Sequence, residues 1–303
     1  MLRSHYSKEI NEEFHGKEIK VAGWVEDIRN LGGIAFIILR DREGKLQITA
    51  IKKENPDLFK KLVSLPRESV IAVEGICQKN EKVMNGWELL PKKLEVLSIA
   101  STPLPMGVID KVNVDFDTRL DNRFIDLRKE ETKAIFLIRH SFIKYATEFL
   151  RNKGFIEVHT PKITASSSEG GTEVFKVDYF GKDAYLVQSP QLYKQMLMAT
   201  GFDKVFEIAW YFRAEEHDTS RHLNESTAID IEMAFISDEE EVMRIAEEMT
   251  NYAIQKILDE NSKELEKLNV EIDTPSLPYP RIKYDAVSYT HLRAHETSLH
   301  LVC

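Results

Sequence analysis

Over about the first 100 residues, short runs rich in β-branched, apolar and aromatic residues recur at Lys20–Val25, Ala35–Asp41, Leu46–Ala50, Ser69–Ile76 and Glu88–Leu97. Turn formers separate them: Gly32-Gly33, the Asp41–Gly44 stretch and Asn85-Gly86. Between the third and fourth runs, Asp57–Leu65 has a helical pattern. Strands in this number with one interposed helix predict a small barrel of the OB type, and another small β-barrel fits the same pattern.

The pattern then changes. Ser101–Asp117, with Pro103 and Pro105, has little periodicity and reads as a junction. Ile135, Ile138, Phe142, Tyr145 and Phe149 recur at alternating steps of three and four, which predicts an amphipathic helix ending at Gly154. Ser189-Pro190 predicts an N-cap followed by a first-turn proline, opening a helix through Ala199 that Gly201 ends. Asp238-Glu239-Glu240-Glu241 predicts a capping box at the head of a long helix with Val242, Ile245, Met249 and Ala253 on its apolar face. Strands are expected at Phe155–Val158, Thr172–Val177, Ala184–Gln188, Val205–Phe212 and Ile229–Phe235. The fold class expected is therefore α+β, with a mainly antiparallel sheet in the second part.

With 303 residues, the chain has length for two domains. A 43% hydrophobic and 30% charged composition is that of an ordinary globular protein. The start, Met1-Leu2-Arg3-Ser4-His5-Tyr6, has no signal-peptide core, so a cytoplasmic protein is expected, and no apolar run predicts a membrane span. Two cysteines, Cys77 and Cys303, are too few for a disulfide framework or a metal cluster, and no metal site is expected in this chain. The net charge of −9 argues against nonspecific nucleic-acid binding but leaves room for a local RNA-binding patch. Residues 287–303 carry His291, His295 and His300 without apolar periodicity, and read as a non-native tail.

The stretch with most chemistry is Val205–Phe235, in which an F-R-x-E unit precedes a polar loop and an apolar strand with acidic punctuation. Arg213 could meet a phosphate there, because the planar guanidinium gives bidentate bonds to phosphate oxygens. Alone, the pattern fits a solvated hairpin with surface ion pairs equally well.

Other segments accompany it: Lys153–Pro161 (KGFIEVHTP), Ser166–Phe175 (SSSEGGTEVF), Gln188–Gln195 (QSPQLYKQ) and Arg119–Arg128 (RLDNRFIDLR). In this order they resemble the class II aminoacyl-tRNA synthetases, and among these the aspartyl enzymes of archaeal and eukaryotic form. Lys153–Pro161 resembles motif 1 and Val205–Phe235 motif 2 of that class. The resemblance runs from His5 to about Ala286.

The resemblance implies an aspartate–tRNA ligase that uses ATP and Mg²⁺ to form aspartyl-adenylate and transfers aspartate to tRNA(Asp), working as a homodimer through motif 1. Its domains would be an OB-fold anticodon-binding domain at 1–102, a linker at 103–120 and a partial catalytic domain at 121–286. It implies that Glu169, Gln191, Lys194 and Arg213 bind aspartate. Arg213, the catalytic residue, would with Ala214, Glu215, Arg221, His222 and Leu223 bind ATP. Phe36, Gln47 and Glu88 would read the anticodon, Phe36 by stacking on a base; a core strand position is the plainer reading of that phenylalanine. Lys194 would favour aspartate over asparagine, since a buried ammonium suits a carboxylate.

A Gly-rich third motif, together with the acidic Mg²⁺ ligand, is expected beyond residue 286 in this family and is not found there. The chain alone is therefore expected to be truncated and inactive. Other readings are a relaxed ligase for tRNA(Asp) and tRNA(Asn), an asparaginyl-tRNA synthetase, an asparagine synthetase on the same catalytic domain, and a nonenzymatic tRNA-binding fragment.

Overall fold

The computed structural model describes residues 2–109, 112–166, 174–216 and 223–283. It divides into two compact units, one through Thr132 and the other from Lys133.

The first unit is built on β1 (Glu18–Asn30), β2 (Ile34–Arg40), β3 (Lys45–Ile51), β4 (Val70–Lys79) and β5 (Trp87–Ser98), with α1 (Pro56–Val63) between β3 and β4. The strands close into a barrel in the order β1-β2-β3-β5-β4, with β3 and β5 parallel and the other pairs antiparallel. This is the arrangement expected of an OB fold. Alternation decides the two faces: Ala35, Ile37 and Leu39 of β2 and Leu46, Ile48 and Ala50 of β3 enter the core, with Val21, Ile71, Val73 and Leu89. Phe36, Gln47 and Thr49 therefore lie on the outer face.

Two glycines allow strands to cross closely. A Cβ on Gly23 would lie 2.2 Å from the Arg40 carbonyl oxygen, and one on Gly75 2.2 Å from that of Leu90. Gly75 adjoins a register shift between β4 and β5, of the kind that bends a strand around a barrel. The α1 helix starts one residue earlier than its pattern predicts, because Asn55 caps it by accepting from Leu58 N at 3.0 Å.

The segment after the barrel contains two short helices that the sequence pattern did not predict, α2 (Phe116–Asp121) and α3 (Arg123–Asp126). Asp115 caps α2 by accepting from Thr118 N at 2.9 Å. Arg119 and Arg123 converge on the fully buried Asp126 carboxylate, at 2.9 and 2.6 Å. A second cluster of charges joins Arg40 to Glu26 (3.2 Å) and Glu68 (2.8 Å), Arg128 to Glu68 (2.8 Å), and Lys45 to both Glu26 and Glu130 (2.8 Å each).

The second unit holds most of α4 (Glu130–Asn152), which ends at Gly154 with φ +83° as predicted. Strands β6 (Ile156–Glu157), β7 (Ile163–Thr164), β8 (Lys176–Tyr179) and β9 (Lys182–Leu186) follow, then α5 (Gln191–Met198), β10 (Lys204–Phe212), β11 (Glu225–Met233), α6 (Glu239–Glu260) and α7 (Ser262–Leu268). One sheet has the order β11-β10-β6 and the other β7-β9-β8; β10 and β6 run parallel and the other pairs among the described residues antiparallel. Tyr145, Ala146 and Leu150 of α4 pack with Phe206 of β10 and with Met249 and Ala253 of α6.

Several boundaries depart from expectation. Ile135, expected on the buried face of α4, is exposed together with Phe136 and Leu137. Pro190 occupies the cap of α5 rather than its first turn. The capping box expected at α6 is not formed: Asp238 makes no side-chain cap bond, and Glu241 accepts instead from Ser237 N, one residue before the cap, at 3.0 Å. The expected strand at Thr172–Val177 begins outside the described residues and is seen as β8, Lys176–Tyr179.

Candidate active site and nucleic-acid face

The second unit gathers charge around α5. Gln191 and Lys194 lie one turn apart on this helix, so they share a face. Lys194 is 2% exposed, among the largest side chains buried to that degree in the described residues. An ammonium so buried needs partners, and β11 supplies them. Lys194 Nζ pairs with the Asp230 carboxylate, lies 3.2 Å from Glu232 Oε2 and donates to the Ile231 carbonyl at 3.0 Å. Gln191 Nε2 donates to the same Glu232 oxygen at 3.2 Å. The acidic punctuation of Ile229–Phe235 thus has a structural meaning: Asp230 and Glu232, two residues apart, both reach the lysine. Neither was singled out from the sequence. Their alternation with Ile229, Ile231 and Met233 was the available signal.

Arg213 follows the last β10–β11 pair, Phe212 with Glu225, and its N–H donates to the Asn224 carbonyl at 3.0 Å. It is exposed, with Cζ 5.4 Å from the Tyr211 ring centroid, and no ion-pair partner is found for it among the described residues. Ala214 and Glu215 continue from it, and Leu223 is exposed two residues before the returning strand begins. Glu169, Arg221 and His222 lie outside the described residues.

Glu207 was not anticipated. This β10 carboxylate is 1% exposed and accepts from Thr160 N at 3.0 Å, Thr160 Oγ1 at 2.8 Å and Lys162 Nζ at 2.7 Å. It ties the end of the KGFIEVHTP segment to the hairpin that carries Arg213. Among the described residues no three His, Cys, Asp or Glu side chains come together as a metal site, and no helix is long and apolar enough to cross a membrane.

In the first unit, Phe36, Gln47 and Glu88 come together on the outer face of the barrel. Phe36 is half-buried directly opposite Thr49, Ile38 is opposite Gln47, and Gln47 neighbours Glu88. The Gln47 amide nitrogen donates to Thr49 Oγ1 (3.1 Å) and Glu88 Oε2 (3.2 Å). Thr49 Oγ1 donates to Glu88 Oε2, and Asn80 Nδ2 to Glu88 Oε1 at 2.9 Å. Phe36 is thus not a core residue. Thr49 joins the group through a contact distant in sequence and Asn80 through one across the β4–β5 hairpin.

Residues 115–297 match the family described as tRNA synthetases class II (D, K and N), and residues 19–97 match the OB-fold nucleic acid binding domain. An aspartate–tRNA(Asp) ligase of Pyrococcus horikoshii is 56% identical over 286 residues, 94% of this chain and 65% of that protein. An aspartate–tRNA(Asp/Asn) ligase of Methanocaldococcus jannaschii is 51% identical over 298 residues, 98% of this chain and 68% of that protein. The crystal structure of asparaginyl-tRNA synthetase from P. horikoshii complexed with asparaginyl-adenylate superposes with a TM-score of 0.88 at 32% identity, covering 99% of this chain and 69% of that one. The chain thus spans about two thirds of the length of its relatives, 65% in the first case.

Proposed function

Because the chain belongs to the tRNA synthetases of class II (D, K and N), we propose that it serves an aspartate–tRNA ligase of the cytoplasm. Its substrates are L-aspartate, ATP and tRNA(Asp). The observation that carries this reading is the buried Lys194 ammonium, held by Asp230, Glu232 and the Ile231 carbonyl. In this reading the Lys194 ammonium exchanges a resident carboxylate for that of the substrate, an exchange that a neutral amide does not replace.

In this reading the aspartate α-carboxylate attacks the α-phosphorus of ATP, pyrophosphate leaves, and a ribose hydroxyl at the 3′ end of the tRNA takes the aspartyl group from AMP. The carboxylate is already a nucleophile, so no side chain has to remove a proton in the first step. What the protein must supply is position and charge. Arg213 bridges the aspartate carboxylate and the α-phosphate, countering charge as the five-coordinate phosphorus forms. Glu169 meets the α-ammonium, and Gln191 and Lys194 face the side chain. Ala214 and Glu215 line the adenine, and Arg221, His222 and Leu223 lie along the polyphosphate and base. Magnesium would neutralise phosphate charge; among the described residues the carboxylates do not come together as a cage for it. The barrel binds the anticodon through Phe36, Gln47 and Glu88, and the protein is a homodimer through the 153–161 segment.

Aspartate-dependent exchange of pyrophosphate into ATP by the whole gene product tests this, with asparagine as the competing substrate. Exchange with asparagine and none with aspartate would overturn it. The M. jannaschii relative supports a second, broader reading in which tRNA(Asn) is also charged with aspartate. Aspartylation of the two tRNAs in parallel separates the two.

A further inference from the structure

Pairing register decides which charges share a face of the β10–β11 hairpin. Phe206 and Ile208 of β10, with Ile229 and Ile231 of β11, pack into the core with α4 and α6. By alternation Glu207, Asp230 and Glu232 lie on the opposite face, where Lys194 of α5 meets the last two. Glu207 and Asp230 are direct cross-strand partners. Two carboxylates so placed repel each other. Each has its own lysine: Asp230 pairs with Lys194, and Glu207 with Lys162 at 2.7 Å. A row of charges results, in which Lys162 stands at one end, followed by Glu207, Asp230, Lys194 and Glu232.

Lys162 joins the row through Glu207 Oε1 and also donates to Thr160 Oγ1 at 2.9 Å. Its side chain is 29% exposed, against 1% for the Glu207 carboxylate that it neutralises. When a substrate carboxylate comes to Lys194, this face gains negative charge beside Asp230 and Glu232. Without the Lys162 ammonium, the buried Glu207 charge would add to theirs. Resting on the proposed aspartate site, we propose that Lys162 is a positioning residue that sets specificity. Acting through Glu207, it holds down the negative charge opposite Asp230, so that Lys194 can accept the side-chain carboxylate of aspartate. Asparagine has the same α-ammonium and α-carboxylate but a neutral side chain, so its binding does not depend on this balance.

Two substitutions change the charge of the row in opposite senses. Glu207→Gln keeps the shape and the bonds: the amide oxygen accepts from Thr160 N and Lys162 Nζ, and the amide nitrogen donates to Thr160 Oγ1. Only the negative charge goes. Lys162→Met keeps the stem and removes the positive charge.

The test is pyrophosphate exchange by the whole gene product, reading the KM for aspartate and competitive inhibition by asparagine. The KM for aspartate is expected to rise about threefold or more in Lys162→Met and to fall by a similar factor in Glu207→Gln, as a nearby unit charge acts at an effective dielectric of about 20. Inhibition by asparagine should move little in either variant. Lys162→Arg keeps the charge and should keep the KM, and the double variant Lys162→Met/Glu207→Gln should return to within about twofold of the unaltered protein. A merely structural tie would move both single variants in the same direction, with asparagine following aspartate. That pattern, or an aspartate KM unchanged in Glu207→Gln, would overturn the inference alone. If Lys162→Met does not fold, Glu207→Gln and the double variant still decide between these outcomes. Absence of aspartate-dependent exchange in the unaltered protein would overturn the inference together with the reading it rests on.

Discussion

Lys194 of α5 and Asp230 of β11 form an ion pair in which the ammonium is 2% exposed and the carboxylate side chain 25% exposed. Glu232 and the Ile231 carbonyl take the rest of the lysine's hydrogen-bonding capacity. One ammonium faces two carboxylates, so the cluster is one negative charge in excess. An incoming aspartate side chain must therefore displace a resident carboxylate from Lys194 or bring further positive charge with it.

Replacing Lys194 by Met follows directly. It keeps the volume of the stem and removes the charge. Loss of one partner from a desolvated charge pair typically costs about 2–5 kcal/mol of binding, so the KM for aspartate should rise roughly 30-fold or more. Discrimination against asparagine should fall in parallel. Pyrophosphate exchange by the whole gene product with each amino acid measures both. An unchanged KM for aspartate would remove Lys194 from the site.

Asp126 gives a pH dependence of folding. Burial by itself would raise its carboxyl, yet the hydrogen bond and charge of Arg119, with the charges of Arg123 and Lys129, outweigh it and hold the group below the ordinary carboxylate range. Its folded value is depressed, so the stabilisation is fully present above the unfolded pKa of about 3.9. It is lost as pH falls through the lower folded value. Urea titrations of the chain and of Asp126→Asn at several pH values below 5 should show a steeper loss in the unaltered protein. Parallel curves would mean that Asp126 does not carry this dependence.

What the sequence disclosed and what it concealed divide along physical lines. The barrel strands were legible, because one face of each is buried and the alternation is local. The α2 helix was missed although Asp115 and Thr118 supply a capping signal, since the apolar positions Phe116 and Leu120 remain exposed and give no buried stripe. The residues expected around the aspartate came from resemblance. Asp230, Glu232 and Glu207 were hidden because a carboxylate in a strand reads as a solvent-facing position until its partner is known, and those partners lie 36, 38 and 45 residues away. Thr49 was concealed in the same way by its contact with Glu88, 39 residues away.

Gly23 tests the closeness of the β1–β2 crossing. An added Cβ would stand 2.2 Å from the Arg40 carbonyl oxygen and 3.4 Å from the Leu39 side chain. A backbone atom cannot rotate away, so Gly23→Ala must push β1 from β2. Overpacking of this kind costs about 1–3 kcal/mol, read as a lower urea midpoint with an unchanged slope. Gly33→Ala is the control, because nothing lies within 4 Å of its added Cβ. Equal midpoints for the two variants would show that the crossing is looser than this.

Phe36 links the barrel to its proposed ligand. Its neighbours in β2, Ala35 and Ile37, are both 0% exposed, while the ring itself lies half-buried on the outer face. Removing the ring therefore leaves the core filled, and Phe36→Ala should change the urea midpoint little. Binding should respond strongly, since an aromatic platform contributes about 1–3 kcal/mol per stacked base, a loss of roughly 5- to 150-fold in affinity for a tRNA(Asp) anticodon stem-loop. The salt dependence should stay the same, because no phosphate contact is lost and the counterions released are unchanged. A large fall in stability with unaltered binding would return Phe36 to the core and sever the barrel's outer face from RNA recognition.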